Sequence, residues 1–424
     1  TRGSYGQNKV ASMKFWESIG AFYGAKDPSY AWPLALVHLN ITLYALTFWL
    51  TRPVMPFLTT QLGADAVVFG YLQTVFSFVQ LLGAPIIGRL CDTQGAKIAL
   101  QMCQLATGLS YILLGSAWNI PVLFASQLPT VLMQSMHCSQ AFVTDFSSDE
   151  SRSSALGRLS LSYAVGMALG PMLGGLLSDV IGYHGVAWLA GALMFVPFLA
   201  NMYSLPAHRP GMEKAKGEGE KGGLQVAECL KVLKIPTCRN LTVFMLMTGL
   251  AGQIYHSTFS MAGPSFFKLT AKDLGMFQTM SGVIGLISNT FVVGALEKAL
   301  SQRSIITLGA SILVCTFTAY SFATSFEHLL VIGFVSAFPS MAMYTTVTSM
   351  VTRGTPREVS ATVIGLGHAA RSLCGIVAPT IGGYLYKDQG VPGVGFTCAA
   401  IMVAAAVWSQ VSQVTVPSAK SKEL

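Results

Sequence analysis

Charge is scarce in this sequence. Asp, Glu, Lys and Arg make up 10% of the 424 residues, where a soluble globular chain carries roughly 25%. The few charges stand between long apolar runs, and 52% of all residues are hydrophobic. That excludes a water-soluble domain and points to a polytopic helical protein of the lipid bilayer, in which twelve spans of about 20 residues would use most of the length. Cysteine is present but unpatterned. The eight, at 91, 103, 138, 229, 238, 315, 374 and 398, include no C-x-x-C, which argues against a zinc site or a disulfide framework. No Ser-His-Asp spacing, metal-ligand cluster or phosphate-binding glycine loop occurs, so neither an enzyme nor a cofactor is expected. The net charge of +8 comes without a basic helix, an aromatic platform or a soluble domain, and nucleic acid is not an expected partner. Residues 1–33 lack the short apolar core and cleavage site of a signal peptide.

What is there falls into two sets of apolar segments. The first runs 35–58, 66–87, 98–117, 120–143, 158–180 and 186–204; the second runs 240–262, 274–295, 304–324, 328–350, 360–384 and 391–412. The expected organisation is a cytosolic tail (1–33), a six-helix half (34–204), a linker (205–239), a second six-helix half (240–412) and a cytosolic tail (413–424). The linker, rich in Lys, Glu and Gly, reads as flexible with a short surface helix around Val226–Leu233. Of the 26 Lys and Arg, 21 fall in the two tails and the even-numbered loops, and only Lys268, Lys272 and Lys387 in the odd loops. By the positive-inside rule both termini face the cytosol.

The two sets repeat each other. Gly70–Thr74 (GYLQT) aligns with Gly275–Thr279 (GMFQT), and Gly170-Pro171-Met172-Leu173-Gly174-Gly175 with Ala378-Pro379-Thr380-Ile381-Gly382-Gly383. Gly166, Gly170 and Gly174 recur every four residues, a flat stripe that lets a neighbouring helix approach backbone to backbone. The second stripe keeps small residues at Cys374, Ala378 and Gly382. Two six-helix halves joined by a cytosolic linker are the parallel-repeat pattern of transporters.

Three motifs then carry a resemblance. Gly88, Arg89, Asp92, Gly95 and Lys97, between the second and third spans, resemble the loop signature G-x-L-x-D-x-x-G-x-K of the major facilitator transporters, with Thr93 and Ala96 where basic residues are usual. A tight turn at Gly88 and Gly95 would carry Asp92 beside basic residues as a cytosolic latch. Asp145 to Arg152 resembles the family's D-x-x-x-x-E-x-R segment, which implies Asp145 and Arg152 as companions of Asp92. Gly157, Gly166, Gly170, Pro171, Gly174 and Gly175 fill every fixed position of the family's antiporter motif, with Arg371, Pro379, Gly382 and Gly383 in its second-half counterpart. Within the family that motif marks proton-linked drug exporters. The stretches FGYLQTVFSFVQLLGAPIIGRLCD, LGRLSLSYAVG and APTIGGYLY narrow the resemblance to the organic cation transporter-like, drug:proton antiporter-like group. The resemblance implies an all-α fold of twelve transmembrane helices, a small organic solute, a monomeric carrier, and helices one, four, seven and ten around the substrate. It also implies that the glycine seam seals the interface between the halves.

Residue spacing supports such a cavity independently. Span one carries His38, Thr42, Ala45, Trp49 and Arg52 on one helical face, and span four Gln127, Thr130, Gln134 and His137. Span seven offers Gly249, Gln253, His256 and Ser260, and span ten Ser336, Ser340, Tyr344 and Thr348. Polar side chains in a membrane gather where water or protein meets them. No Asp or Glu lies within a cavity-lining span, and Gln127 replaces the family's usual Arg. Histidines such as His137 or His256 are therefore the groups available to carry a coupling proton. The leading expectation is proton-coupled antiport of organic cations or amphipathic drugs by alternating access, in a plasma or internal membrane. The alternatives are an ion-independent facilitator of neutral or anionic solutes, or a non-transporting membrane scaffold that signals through the linker.

Overall fold

The computed structural model describes residues 16–148, 150–206, 233–353 and 360–412, with side chains throughout except at 352, 353 and 360–364. Most of the linker, with its expected surface helix, lies outside them, as does 413–424. Among the described residues every regular element is a helix, and a lone β-bridge joins Ala25 to Ser147. The helices form two compact units, Thr1–Val54 with Val79–Gly222 and Met55–Phe78 with Gly223–Leu424.

The first unit contains α1 (Ala31–Thr51), the second half of α3 (Ala66–Gln94) and α4 (Ala96–Gly115). It continues through α5 (Ile120–Ala125) and α6 (Ser135–Phe146) to α7 (Arg152–Ser204). Gly182, at φ 71°, breaks α7 into two helices; a residue with a Cβ would be strained there. A buried amide chain ties the unit together: Asn40 Nδ2 donates to Asn201 Oδ1 (2.6 Å), and Asn201 Nδ2 to Gln104 Oε1 (2.9 Å).

Span four departs from the expected single helix over 120–143. The chain leaves α5 at Ser126, makes a 3-10 turn over Leu128–Leu132 and resumes at Ser135. Pro129 cannot donate a helical hydrogen bond and disfavours helix in the residue before it. The freed carbonyls find side-chain donors: Ser110 Oγ donates to the Ser126 carbonyl (2.7 Å), and the Tyr44 phenol (3.3 Å) and Gln80 amide (3.4 Å) donate to that of Met133. Gln134 Nε2 returns a bond to the Gln80 carbonyl (2.9 Å). Gly83 leaves room for the break, because a Cβ there would collide with the Val131 carbonyl. Irregular backbone at membrane depth is tolerated where protein satisfies it in this way.

The stretch read as a tail is also partly built in. Residues 16–23 are helical, Lys26 N–H donates to the Phe146 carbonyl (3.0 Å), and Ser148 N–H to that of Gly24 (3.0 Å). Backbone pairing with the α6–α7 junction holds this segment.

The second unit contains α2 (Met55–Gln61), the first half of α3 and α8 (Pro236–Ser265). A capping box of Thr270 and Asp273 starts α9 (Ala271–Ile287), which runs through a π turn at Ser288–Val292 into α10 (Val293–Ala299). Then come α11 (Gln302–Ser321), α12 (Phe326–Arg353) and α13 (Ser360–Val411). Gly390, at φ 65°, breaks α13 as Gly182 breaks α7. Its core is aromatic, with Tyr255 packed edge-on to Tyr320 (5.0 Å between ring centres) and Phe259 beside Phe277 (4.5 Å).

The repeat in sequence is a repeat in packing. Cβ atoms added at Gly166 or Gly170 would lie 2.5–2.7 Å from Thr42, Leu46, Ala45 or Trp49 of α1, and one at Gly174 would run into the Leu50 carbonyl. The second stripe rests on α8: a Cβ at Gly382 would lie 2.9 Å from Thr258 Oγ1, and the Cys374 thiol donates to the Leu246 carbonyl (3.5 Å). The atoms that the first stripe approaches thus belong to α1 of its own unit, a correction to the expectation of a seam between the halves. The stripe's flatness let the chain bring α7 and α1 together locally.

Candidate functional site

The second unit encloses a cavity of about 370 Å³, within the size range of small-molecule sites. Five helices supply its walls. α8 contributes Phe244, Met245, Thr248, Gly249, Tyr255 and His256; α9 contributes Phe277, Ser281 and Gly285; α11 contributes Leu313 and Phe317. From α12 come Ser336, Ser340 and Tyr344, and from α13 comes Arg371. The structure therefore gathers Gly249 and His256 of the seventh span with Ser340 and Tyr344 of the tenth and the in-span Arg371. Three other members of those stripes are not among the lining residues. Ser260 donates to the His256 carbonyl (3.1 Å), Thr348 to that of Tyr344 (2.8 Å), and Gln253 lies beside Gly375 of α13. Sequence reasoning missed the α9 wall, although Phe277, Ser281 and Gly285 recur every four residues.

The cavity is apolar and carries one permanent charge. The Arg371 guanidinium lies over the Tyr344 ring, 4.7 Å from its centre. A mid-span arginine is disfavoured by about 2.5–3.5 kcal/mol on insertion scales, and a cation–π contact returns about 0.5–2 kcal/mol. Tyr344 offsets only part of the cost. Among the described residues, no Asp or Glu lines the cavity. Its serine and threonine hydroxyls are turned to their own helices: Thr248 donates to Phe244 (2.9 Å), Ser281 to Phe277 (2.9 Å), Ser336 to Gly333 (3.1 Å) and Ser340 to Ser336 (2.6 Å). The donors left are the N–H groups of Arg371 and His256 and the phenols of Tyr344 and Tyr255, the last buried with no partner.

Several residues expected to line a cavity from the first half are bonded within their own unit. His38 is buried, with Nδ1 2.9 Å from Ser162 Oγ and its ring 4.3 Å from that of Tyr23. Thr42 donates to the Ser162 carbonyl (3.1 Å), and Trp49 Nε1 to the Tyr163 phenol (3.2 Å). That face of α1 meets α7. Arg52 lies over Phe48, 4.3 Å from the ring centre. Gln127 and Thr130 are buried in the break of span four, where Gln127 Nε2 donates to Ser126 Oγ (2.9 Å) and Thr130 Oγ1 to the Gln127 carbonyl (2.5 Å). Gln134 binds Gln80, and His137 is exposed on α6.

The loop motif also differs from expectation. α3 continues through Gly88 to Gln94, so the turn is Gly95 alone, at φ 87°. Asp92 stands exposed near the end of α3. Lys97 caps the end of α7, donating to the carbonyls of Met202 (3.1 Å) and Leu205 (2.7 Å), a favourable place for a cation. The Asp145 carbonyl accepts from Lys26 Nζ (2.7 Å). Arg152 begins α7. Gly157 has open space around it, whereas Pro171 and Gly175 are buried.

A polar seam in the second unit joins the first half of α3 to α13. Asp65 pairs with Lys387 (3.1 Å), the phenols of Tyr71 and Tyr384 lie 2.6 Å apart, and Thr74 Oγ1 donates to the Ile376 carbonyl (2.6 Å). Gly70 fits against the backbone of Pro379, and Gly383 against that of Ala66 and Val67. The Val68 amide, together with Lys387, holds the Asp65 carboxyl below the usual carboxylate value of 3.8, so the pair is charged at neutral pH.

Comparison with known proteins agrees with this architecture. The sequence profile of the Major Facilitator Superfamily matches residues 37–379 and 267–423. Human solute carrier family 67 member A1 is 30% identical over 82% of this chain and 84% of its own length. Solute carrier family 22 member 18 of the mouse is 29% identical over 85% of this chain and 90% of its own. Among solved structures, a bacterial homolog of the human lysosomal transporter Spinster, inward-facing and occupied, superposes with a TM-score of 0.74 at 14% identity, covering 91% of this chain and 97% of that one. The chain is a multi-pass integral membrane protein that belongs to the Major Facilitator Superfamily, a family of transporters and not of enzymes.

Proposed function

We propose that this chain is a secondary transporter that carries small amphipathic organic compounds by alternating access, with both termini in the cytosol and twelve crossings. Among the described residues, eight helices are long and apolar enough to cross a membrane. Arg152–Ser204 and Gly365–Val411 hold 53 and 47 residues, about twice what one crossing needs, and each bends at a positive-φ glycine. α8, made less apolar by its cavity-facing polar residues, and the broken 120–146 segment bring the number to twelve.

The observation that carries the reading is the cavity itself, walled by aromatic side chains with His256 and Arg371 among them. The antiporter motif supports exchange for protons, and the resemblance supports organic cations or amphipathic drugs. Within this cavity His256 is the group whose ordinary pKa suits a coupling proton. The lack of any carboxylate there favours a second reading, an ion-independent facilitator. A pH jump across liposomes containing the full-length protein separates them. Antiport predicts that adding substrate on one side moves protons in the opposite sense, and that His256→Gln abolishes this movement. Saturable uptake with no proton movement would leave the facilitator in its place.

A further inference from the structure

We infer that the cavity of the second unit receives an aromatic organic anion, with its oxyanion on Arg371 and its ring against the aromatic walls. This rests on the transport reading above but departs from the organic cation that the resemblance implies.

Three observations carry it. First, Arg371 lies 11 residues into α13, so its charge sits well inside the span. The Tyr344 ring beneath it is neutral and only partly offsets its cost. An anion arriving there supplies the missing counter-charge, and a guanidinium offers a planar fork that a carboxylate or sulfonate can accept in two places. Second, among the described residues no carboxylate in the walls would neutralise a cation. The acids on the described parts of the cavity-forming helices are Asp273 and Glu327, in the first turns of α9 and α12, and Asp388, beside the bend of α13 at Gly390, and none lines the cavity. The Tyr344 face, which could have taken a cation, already carries Arg371. Third, the serine and threonine hydrogens are committed to their own helices, which leaves as donors the N–H groups of Arg371 and His256 and the phenols of Tyr344 and Tyr255. A ligand that accepts hydrogen bonds at one end and is flat and apolar at the other matches this arrangement. Phe244, Phe277, Phe317 and Tyr255 supply the apolar surface.

Three probes that share one ring system test the assignment: 2-naphthoate, 2-naphthamide and 2-naphthyltrimethylammonium. Each is offered to the full-length protein in detergent, read as a shift in melting temperature, and in liposomes, read as uptake. The expected result is that naphthoate raises the melting temperature most and is taken up saturably. Arg371→Gln should raise its KM by about 10- to 100-fold, as losing charge-assisted hydrogen bonds implies, and Arg371→Lys by less. Amide uptake should change little. Melting of the unliganded variants shows whether they fold, and the wild-type comparison among probes stands without them. Preferential stabilisation and uptake of the ammonium probe would overturn the anion assignment while leaving transport intact, as would naphthoate uptake indifferent to Arg371→Gln. Stabilisation by naphthoate with no flux of any probe would keep the anion site and overturn the transport reading.

Discussion

Gly174→Ala is expected to be the most damaging single methyl in the molecule's repeated seam. The added carbon would run into the Leu50 carbonyl of α1, and backbone on both sides leaves no flexible side-chain end to yield. Over-packing of this kind costs about 1–3 kcal/mol, occasionally more, and a clash with main chain belongs at the upper end. The motif supplies its own control. Gly157 has nothing within 4 Å of a built Cβ, and replacing a helical glycine by alanine otherwise gains up to about 1 kcal/mol. Gly157→Ala should therefore be neutral or slightly stabilising, although both positions belong to the same motif. Gly382→Ala should fall between them, because the atoms it meets include the rotatable hydroxyls of Thr258 and Ser257. Melting temperature and the monodisperse fraction in detergent give the ranking. Equal damage at 157 and 174 would show that the motif acts other than by close packing.

Locking the polar seam is expected to stop transport. If the first half of α3 must part from α13 during the cycle, joining Asp65→Cys to Lys387→Cys should reduce flux to that of empty liposomes, and a reductant should restore it. The paired side chains now approach to 3.1 Å and are about half exposed, so a bis-methanethiosulfonate, which forms a disulfide at each cysteine that a reductant cleaves, can reach them. The single variants should retain most of their flux, since an exposed ion pair contributes only about 0–1 kcal/mol. Of the native cysteines, Cys91, Cys103, Cys138, Cys238, Cys374 and Cys398 are buried but Cys315 is exposed, so the pair is made in a Cys315→Ser background and each single-cysteine variant serves as a control. Undiminished flux after complete cross-linking would mean that this seam stays shut throughout the cycle.

The global pattern was legible because it rests on what a bilayer demands. Apolar length predicts helices, and small residues every four positions predict close approach. The offset between Gly170 and Ala378 predicts a repeat that the structure carries into the packing of α7 on α1 and α13 on α8. The bend glycines Gly182 and Gly390 share that offset and went unread. Periodicity alone could not tell which polar faces meet water and which meet another helix. The stripes on the first and seventh spans look alike in sequence. Yet His38, Thr42 and Trp49 bind α7, while Gly249 and His256 open onto a cavity. The difference lies in Ser162 and Tyr163, more than a hundred residues away. The break in span four was hidden for the same reason. Pro129 was visible, but the donors that make unwinding tolerable come from Tyr44, Gln80 and Ser110 on three other helices. Arg371 was visible in the counterpart of the antiporter motif, but the Tyr344 ring beneath it comes from another helix.

Trans-stimulation is the most direct measurement of whether this chain works by alternating access. Liposomes containing the full-length protein are preloaded with one of the naphthalene probes, unlabelled, and entry of the same labelled probe is followed from outside. A carrier that exposes one site to each side in turn predicts saturable entry that is faster into preloaded than into empty-lumen vesicles. Entry that rises linearly with concentration and ignores the preload, or that equals protein-free liposomes for every probe, would contradict the account.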